Sequence, residues 1–358
     1  MKQVVDIGVL LSRSGMYAAL ARASRSGVQQ GVDEVNADPR LDISFRVIER
    51  DPEGRLDRYA SLCRDILRGS KARHIFGCIT SASRKEVIPE LERFGWVLWY
   101  PVPYEGFEAS EHVAYMHSCH NQHLLPLLDW ALPCLGKRGY LVGSNYIWGW
   151  EMARIARERI AKAAGTVLGD RYLAVGDTDL DHIIQEIRAL KPDFILNSLV
   201  GDSSYALLAR LAQLKREAQI TNGVTVLSCN FTECEVEPAG EAAEGLVSAG
   251  PWFEPGDGSG GSFREMARQS VHELASLLHD RRGAEDLPLS ELLHAAHRSS
   301  HVPRLDPAHH HARQPTIIAR LENGRFHEIK RLPALRADPY LTHRSQTSQG
   351  GSLLKVVS

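Results

Sequence analysis

The chain has 358 residues, of which 43% are hydrophobic and 24% charged, with a formal net charge of -2 and a pI near 6.8. This composition is typical of an ordinary globular protein, and the near-neutral charge argues against a nucleic-acid or membrane-surface partner. No apolar run approaches the roughly 20 residues that a membrane span needs. The length predicts two lobes rather than one.

The N-terminus predicts a core strand and not a secretion signal. The first three residues lead directly into the short apolar run 4–11, which contains Asp6 and has no small-residue cleavage site. Signal peptides carry such a site after a longer uninterrupted apolar region. We therefore expect a cytoplasmic protein.

The cysteines fit that expectation, because none of them forms a CxxC pair. They are Cys63, Cys78, Cys119, Cys134, Cys229 and Cys234. Disulfides are rare in the cytosol and zinc sites need closer spacing, so we predict free thiols, buried or half-buried. Cys229 and Cys234 could pair only if the geometry allowed it.

Strands and amphipathic helices alternate along the chain. The first series is predicted as strand 4–11, helix 21–36, strand 43–48, helix 58–67, strand 75–78, helix 85–93 and strand 96–99. The second series is predicted as helix 121–135, strand 139–143, helix 151–163, strand 166–173, helix 179–190, strand 194–199, helix 203–215 and strands 224–229 and 246–248. Such alternation indicates βαβ units with parallel sheets, so we predict an α/β fold of two similar lobes.

The last part of the chain is predicted to differ from these series. Helices are expected at 263–279 and 289–297, followed by a β-hairpin over 316–329 that turns at Asn323-Gly324. Residues 343–358 are predicted to be a disordered tail, because the chain turns polar beyond Tyr340.

Two neighbouring loops after apolar strands are the first candidate site. One loop, 74–85, is rich in hydroxyl groups and enters a helix, and the other, 97–107, is aromatic and rich in proline. In open α/β sheets, loops at the carboxyl ends of parallel strands form the ligand crevice. Ser81 and Ser83 could bind a polar ligand group or only cap their helix. Tyr100 and Tyr104 could wall a pocket or form a hydrophobic corner with their hydroxyls in solvent.

Loops of the second series supply the facing half of this crevice. Tyr146 and Trp148 follow strand 139–143 and either face the first lobe or pack at a helix start. Gly201 and Thr232 follow later strands and could contribute polar contacts, although small polar residues at helix starts are ordinary caps.

The sequence lacks the common catalytic motifs. It has no GxxxxGK[ST] loop, no GxGxxG after the first strand, no GxSxG and no HExxH. His309, His310 and His311 are adjacent and cannot all point one way on a strand or helix, so a metal site is not expected there. We predict neither an enzyme nor a cofactor.

A series of short motifs, in a fixed order, carries a resemblance to a known family. The motifs are Asp51-Pro52-Glu53-Gly54, Gly77-Cys78 with Ser81 and Arg84-Lys85, Tyr100-Pro101 with Pro103-Tyr104-Glu105-Gly106-Phe107-Glu108, Asn121-Gln122, Gly143-Ser144 with Tyr146-Ile147, Val200-Gly201 and Asp338-Pro339-Tyr340. They resemble the type I periplasmic-binding-protein family over nearly the whole chain. Within it they are most similar to the cytoplasmic amide receptors that negatively regulate aliphatic amidase operons, and also to urea- and short-chain-amide-binding proteins of transport systems.

The resemblance implies two lobes joined by a hinge that the chain crosses three times, closing on a small ligand. It divides the chain into 1–118 plus 252–325 and 119–251 plus 326–342. It further implies an amide-like ligand and an RNA-binding antitermination protein as partner, with no direct contact to nucleic acid or membrane. It leaves homo-oligomerisation open.

Motif position also implies which residues line the pocket. Ser81, Tyr100, Pro103 and Tyr146 match pocket residues of the family. Val102 stands where the amide receptors have threonine, and Ile79 and Trp148 stand where they have tyrosine. Each change removes or alters a hydroxyl, so the ligand is expected to be bulkier or less polar than acetamide.

Three functions follow from the sequence. The first is a cytoplasmic sensor of a small amide that controls a partner regulator. The alternative is a substrate-binding protein of an ABC transporter for urea, short-chain amides or amino acids. The third, an enzyme on the same fold, would need a nucleophile–base pair or a metal cluster, which the sequence does not offer.

Overall fold

A computed structural model describes residues 2–217, 224–254, 260–298 and 303–342. The strands are β1 (Gln3–Leu10), β2 (Ile43–Arg50), β3 (His74–Gly77), β4 (Val97–Tyr100), β5 (Val113–Tyr115), β6 (Arg138–Ser144), β7 (Thr166–Leu173), β8 (Phe194–Ser198), β9 (Thr225–Ser228), β10 (Val247–Gly250), β11 (Gln314–Glu322) and β12 (Arg325–Leu335). The helices are α1 (Ala18–Ala37), α2 (Tyr59–Gly69), α3 (Ser81–Phe94), α4 (Leu124–Leu135), α5 (Ile147–Lys162), α6 (Asp181–Leu190), α7 (Asp202–Arg216), α8 (Val236–Ala239), α9 (Gly261–Leu278) and α10 (Leu289–Arg298). Among the described residues, no helix combines the length and apolar character that crossing a bilayer requires.

The strands form two sheets, which confirms the predicted α/β fold with two lobes. The first sheet has the order β2-β1-β3-β4-β5, and the second has the order β12-β11-β10-β9-β8-β6-β7. Neighbouring strands of the first sheet are all parallel, and so are β7, β6, β8, β9 and β10. Read from its far edge, the second sheet repeats the order of the first, with β7-β6-β8-β9-β10 in place of β2-β1-β3-β4-β5. The antiparallel hairpin of β11 and β12 is added at the end.

This shared strand order places one crevice in each lobe. The direction in which strands are added reverses between β1 and β3 in the first sheet, and between β6 and β8 in the second. Loops at the carboxyl ends of strands diverge at such a switch point and leave room for a ligand.

The chain crosses between the lobes three times. It passes from β5 to α4 and then from β10 to α9. The third passage leads into β11 from the segment that contains Ala312, whose N–H donates to the Tyr115 carbonyl in β5. Both hairpin strands are hydrogen-bonded into the second sheet, whereas the sequence division had put residues up to 325 with the first lobe. The difference arises because the Asn-Gly turn predicts where the chain reverses direction but does not predict which sheet the hairpin joins. The predicted tail, 343–358, lies outside the described residues.

Two helices begin four residues earlier than predicted, about one full turn. Helix α3 begins at Ser81 rather than 85, and α5 begins at Ile147 rather than 151. The first turn of α3 contains the buried Ser81, Ser83 and Arg84, and that of α5 the buried Trp148 and Gly149, so neither turn shows the amphipathic pattern of a surface helix. The short strand β5 was not predicted. All six cysteines are free, as predicted, although Cys134 is exposed.

Helices α1 and α9 pack backbone to backbone on the first sheet. A side chain at Gly27 would overlap the carbonyl oxygen of Arg264, and a Cβ at Gly31 would lie 3.0 Å from the carbonyl oxygen of Arg268. Glycine at these positions therefore allows the close approach of the two helices. This packing holds α9, the first helix after the second crossing, on the first lobe.

We expect Gly27→Ala to lower the free energy of unfolding by at least about 2 kcal/mol, because the added methyl group must displace a rigid main-chain carbonyl. Gly69→Ala is the matched control, since nothing lies within 4 Å of its Cβ position at the end of α2. Urea unfolding of both variants measures the difference, and equal stabilities would contradict the packing account.

Candidate ligand-binding cleft

The predicted site residues all follow the carboxyl ends of parallel strands. Ile79 and Ser81 follow β3; Val102 and Pro103 follow Tyr100, the last residue of β4; Tyr146 and Trp148 follow β6; Gly201 follows β8; and Thr232 follows β9. All are buried except Tyr146, which is half-buried. In each lobe these residues therefore lie at the carboxyl-end edge of the sheet.

Ser81 does not cap its helix. The N-cap of α3 is Thr80, whose hydroxyl accepts the N–H of Ser83 at 3.1 Å, while the Ser83 hydroxyl accepts the Thr80 N–H in return. This capping box leaves Ser81 free to donate to a carboxylate oxygen of Glu105 at 2.5 Å. Of the two serines, Ser83 is structural and Ser81 faces the loop after β4.

A buried arginine links the two loops of the first lobe. The Arg84 side chain has no exposed surface; its Nη2 donates to Glu105 at 2.8 Å and its Nε donates to Glu108 at 2.8 Å. Lys85 adds a third ion pair, with Nζ 2.7 Å from Glu108. The network thus contains two cations and two carboxylates, so its charges cancel.

Aromatic rings enclose this guanidinium. Its central carbon lies 4.8 Å from the ring centroid of Tyr100, 4.9 Å from that of Tyr104 and 5.9 Å from that of Tyr115. Cations favour the faces of such rings, more so where water is excluded. Tyr100 and Tyr104 are 1% and 0% exposed, so neither hydroxyl points into solvent as the alternative reading required.

The ionised state of the network follows from these contacts. Burial by itself would lower the pKa of Arg84, but the surrounding charges, first that of Glu105, hold it well above its usual value. Burial by itself would raise the pKa of Glu108, but contacts with Arg84 and Lys85 lower it to about 2. The network is therefore charged on both sides at neutral pH.

Tyr146 faces this network from the second lobe. Burial raises the pKa of Tyr146 well above its usual value, and the Tyr100 and Glu105 groups act in the same direction. Burial also raises the pKa of Tyr100, while Arg84 and a side-chain interaction with Ser81 oppose that change. Ser81 and Tyr100 thus interact within the first lobe, and groups of that lobe act on Tyr146 of the second. That the three residues line one ligand pocket stays a prediction.

Trp148 lies beside the same site. Its ring is 5.9 Å from the ring of His123, whose Nε2 is 3.2 Å from the carbonyl oxygen of Tyr104. Its Nε1 is a buried donor with no acceptor among the described residues, and so is Nη1 of Arg84. A buried donor without an acceptor is costly, so a hydrogen-bond acceptor brought to either atom would be stabilised.

Two predicted residues make other contacts. A side chain at Gly201 would overlap the carbonyl oxygen of Met16, so this glycine lies against the first lobe. The Thr232 hydroxyl is 3.3 Å from Cys234 Sγ and close to the start of α9. Contact of a ligand with either residue, or with Ile79, Val102 and Pro103, remains a prediction.

The roles of Arg84, Glu105 and Glu108 were not predicted from the sequence. Arg84 lies one turn after Ser81 and therefore on the same face of α3, a signal that was hidden while the helix was expected to begin at residue 85. Its two acidic partners follow a different strand, and no local pattern points to them.

Comparison with known proteins shows the family. Residues 5–261 match the model of the periplasmic binding protein domain, which is well over half of the chain. The chain belongs to the periplasmic binding protein family. It is a ligand-binding protein of the type I class, and the amide-receptor branch is not shown by this match.

Solved structures of the same fold include several solute-binding proteins of ABC transporters. One from Rhodopseudomonas palustris, in complex with benzoate, is 19% identical with a TM-score of 0.79, covering 94% of this chain and 98% of that chain. The leucine-binding protein LivK of Thermotoga maritima is 16% identical with a TM-score of 0.76, covering 92% and 98%. LivJ of Streptococcus pneumoniae, in complex with isoleucine, is 17% identical with a TM-score of 0.74, covering 93% and 100%. These similarities show the fold, and the family and its neighbours are binding proteins rather than enzymes.

We expect Arg84→Met to lower the free energy of unfolding by about 3–5 kcal/mol, because it leaves the buried Glu105 carboxylate without a cation and Glu108 with Lys85 alone. Arg40→Ala is the control, since Arg40 makes an exposed ion pair with Asp38 and should leave stability unchanged within error. Denaturant unfolding at pH 7 tests both, and an Arg84→Met protein as stable as the wild type would contradict the account.

Stability should also depend on Glu108 in acid. Its folded-state pKa of about 2 is below the unfolded value, so its contribution is complete above about pH 5 and is lost as pH falls towards 2. Glu108→Gln should therefore be less stable than the wild type by about 2–3 kcal/mol at pH 7, with the difference shrinking between pH 5 and 2. A difference independent of pH would show that Glu108 acts through shape alone.

Proposed function

We propose that this protein is the solute-binding component of an ABC uptake system and captures a small, neutral, amide-like molecule between its lobes. Its family, its fold and the ABC-transporter context of its structural neighbours support the first part. The chemistry of the cleft supports the second.

Charge balance favours a neutral ligand. The Arg84 guanidinium and the Lys85 ammonium are matched by the carboxylates of Glu105 and Glu108, with all three ion pairs at 2.7–2.8 Å. A bound carboxylate would add one uncompensated negative charge to a site of low dielectric, which is costly. The related structures with benzoate and isoleucine contain ligands that carry carboxylates, so ligand charge is where this chain should differ.

The unpartnered donors favour a carbonyl group. Trp148 Nε1 and Arg84 Nη1 are both buried and lack acceptors in the described part of the chain. This is the observation that carries the proposal, because a carbonyl oxygen accepts from such donors without bringing a charge. Ser81 already donates to Glu105, so its oxygen and that carboxylate are acceptors for an amide N–H.

The apolar side chains of Ile79 and Val102, which replace the hydroxyl-bearing residues of amide receptors, favour a ligand with an alkyl or aryl substituent. Ile79 and Val102 are 6% and 1% exposed; Ile79 lies between β3 and Ser81, and Val102 lies two residues after Tyr100 at the end of β4. Each methylene group of a ligand that is transferred from water to a position against these side chains gains about 0.8 kcal/mol. Butyramide or benzamide should therefore bind more tightly than acetamide.

Calorimetry with matched pairs of amides and acids is the decisive experiment. Acetamide, butyramide and benzamide should bind, whereas acetate, butyrate and benzoate should bind at least tenfold more weakly. Urea and leucine complete the panel. Tighter binding of the acids or of leucine would refute the neutral-ligand proposal, while the absence of binding by the whole panel would refute the proposed ligand class.

We expect Val102→Thr to shift preference from butyramide towards acetamide, because it introduces a hydroxyl at nearly constant volume. The dissociation constant of acetamide divided by that of butyramide should fall by about threefold to tenfold, equivalent to about 0.7–1.4 kcal/mol. Val113→Thr in β5 is the control for a buried Val→Thr change in the same lobe, and an equal ratio in both variants would remove Val102 from the pocket.

The amide sensor is a second candidate, favoured by the motif from Tyr100 to Glu108, of which Tyr100, Tyr104 and Glu105 are buried around Arg84. In that case the protein is cytoplasmic and binds an RNA-binding antitermination protein. Deletion of the gene distinguishes the two functions. Loss of amide uptake supports the transport protein, whereas constitutive expression of an amidase-type operon supports the sensor.

A further inference from the structure

Met16 connects the lobes at the cleft. It lies in the loop between β1 and α1 of the first lobe and is half-buried. A Cβ at Gly176 would overlap Sδ of Met16, and a Cβ at Gly201 would overlap its carbonyl oxygen. Gly176 follows β7 and Gly201 follows β8, so both belong to the second lobe. We call these two glycines the Met16 socket.

Both sides of this contact are held within their own lobes. On the first lobe, Ser12 Oγ accepts the N–H of Gly54 at 3.0 Å and is 3.1 Å from the Tyr59 hydroxyl, beside the turn that carries Met16. On the second lobe, the Gly176 N–H donates to Ser203 Oγ at 3.1 Å. The loop that carries Met16 and the Met16 socket are therefore each held in shape by hydrogen bonds within their own lobe.

Both glycines have positive φ, +86° at Gly176 and +62° at Gly201. This backbone favours glycine in itself, so the need for space against Met16 has to be separated from the need for the conformation. The second lobe offers matched positions for that purpose. Gly245 has φ +82° and Gly240 has φ +58°, and nothing lies within 4 Å of a Cβ at either.

We propose that the seating of Met16 in its socket determines how readily the lobes close, so that Met16, Gly176 and Gly201 set ligand affinity through closure. The inference rests on the proposed function, since closure matters only to a protein that captures a ligand. A ligand is held more tightly when the closed arrangement it selects is already favoured. The three residues are positioning residues and not members of the Arg84 network.

The two overlaps differ in a way that a mutant cycle can test. At Gly176 the obstacle is the thioether of Met16, which Met16→Ala removes. At Gly201 the obstacle is a main-chain carbonyl, which Met16→Ala leaves in place. Rescue by Met16→Ala should therefore occur at Gly176 and fail at Gly201.

The experiment measures butyramide affinity by calorimetry. We expect Gly176→Ala to weaken binding threefold to tenfold in the wild-type background and to have no effect beyond that of Gly245→Ala in a Met16→Ala background. Gly201→Ala should weaken binding more than tenfold relative to Gly240→Ala in both backgrounds. The inference is overturned if the socket variants bind like their controls, or if the effect of Gly176→Ala persists without the Met16 side chain.

A cysteine pair tests the contact without any ligand. In a Cys134→Ser background, which removes the exposed thiol, Met16→Cys with Gly176→Cys should cross-link on mild oxidation, whereas Met16→Cys with Gly245→Cys should not. Cross-linking without binding of any amide would refute the proposed ligand class and retain the contact. Absence of the specific cross-link would overturn the inference even if amides bind.

Discussion

The buried charge of Arg84 is the constraint on which the site depends. A guanidinium without exposed surface is tolerated only where carboxylates and hydrogen-bond acceptors surround it. Glu105 and Glu108 meet that need, and both come from the loop after β4, whereas Arg84 comes from the helix after β3. The ion pairs therefore bind two loops into one rigid surface and fix Ser81 and Tyr100 upon it.

The repeated strand order turns that surface into half of a cleft. Because each sheet has its switch point beside its first strand, both lobes offer diverging loops at corresponding places. Tyr146 and Trp148 of the second lobe then lie near the loops that carry the Arg84 network. The first crossing of the chain contacts the loop after β4 directly, since His123 Nε2 is 3.2 Å from the carbonyl oxygen of Tyr104.

The polar groups of the cleft and the Met16 socket have different roles in ligand binding. The unpartnered donors at Arg84 and Trp148 select what the ligand must offer, and the fit of Met16 against Gly176 and Gly201 sets the cost of closing around it. Selectivity and affinity can then change separately, because the residues concerned lie on different loops.

Periodicity, chain length and turn residues in the sequence determined the alternation of strands and helices, the two-lobe α/β class and the hairpin turn at Asn323-Gly324, since these follow from short-range patterns and size. It also placed Ser81, Tyr100 and Tyr146 at strand ends. Only the tertiary structure decided that Arg84 pairs with two acidic residues from another loop and that Met16 meets glycines of the other lobe. Such contacts depend on how elements distant in sequence are brought together, and a local pattern records whether a residue is buried but not which residue it is buried against.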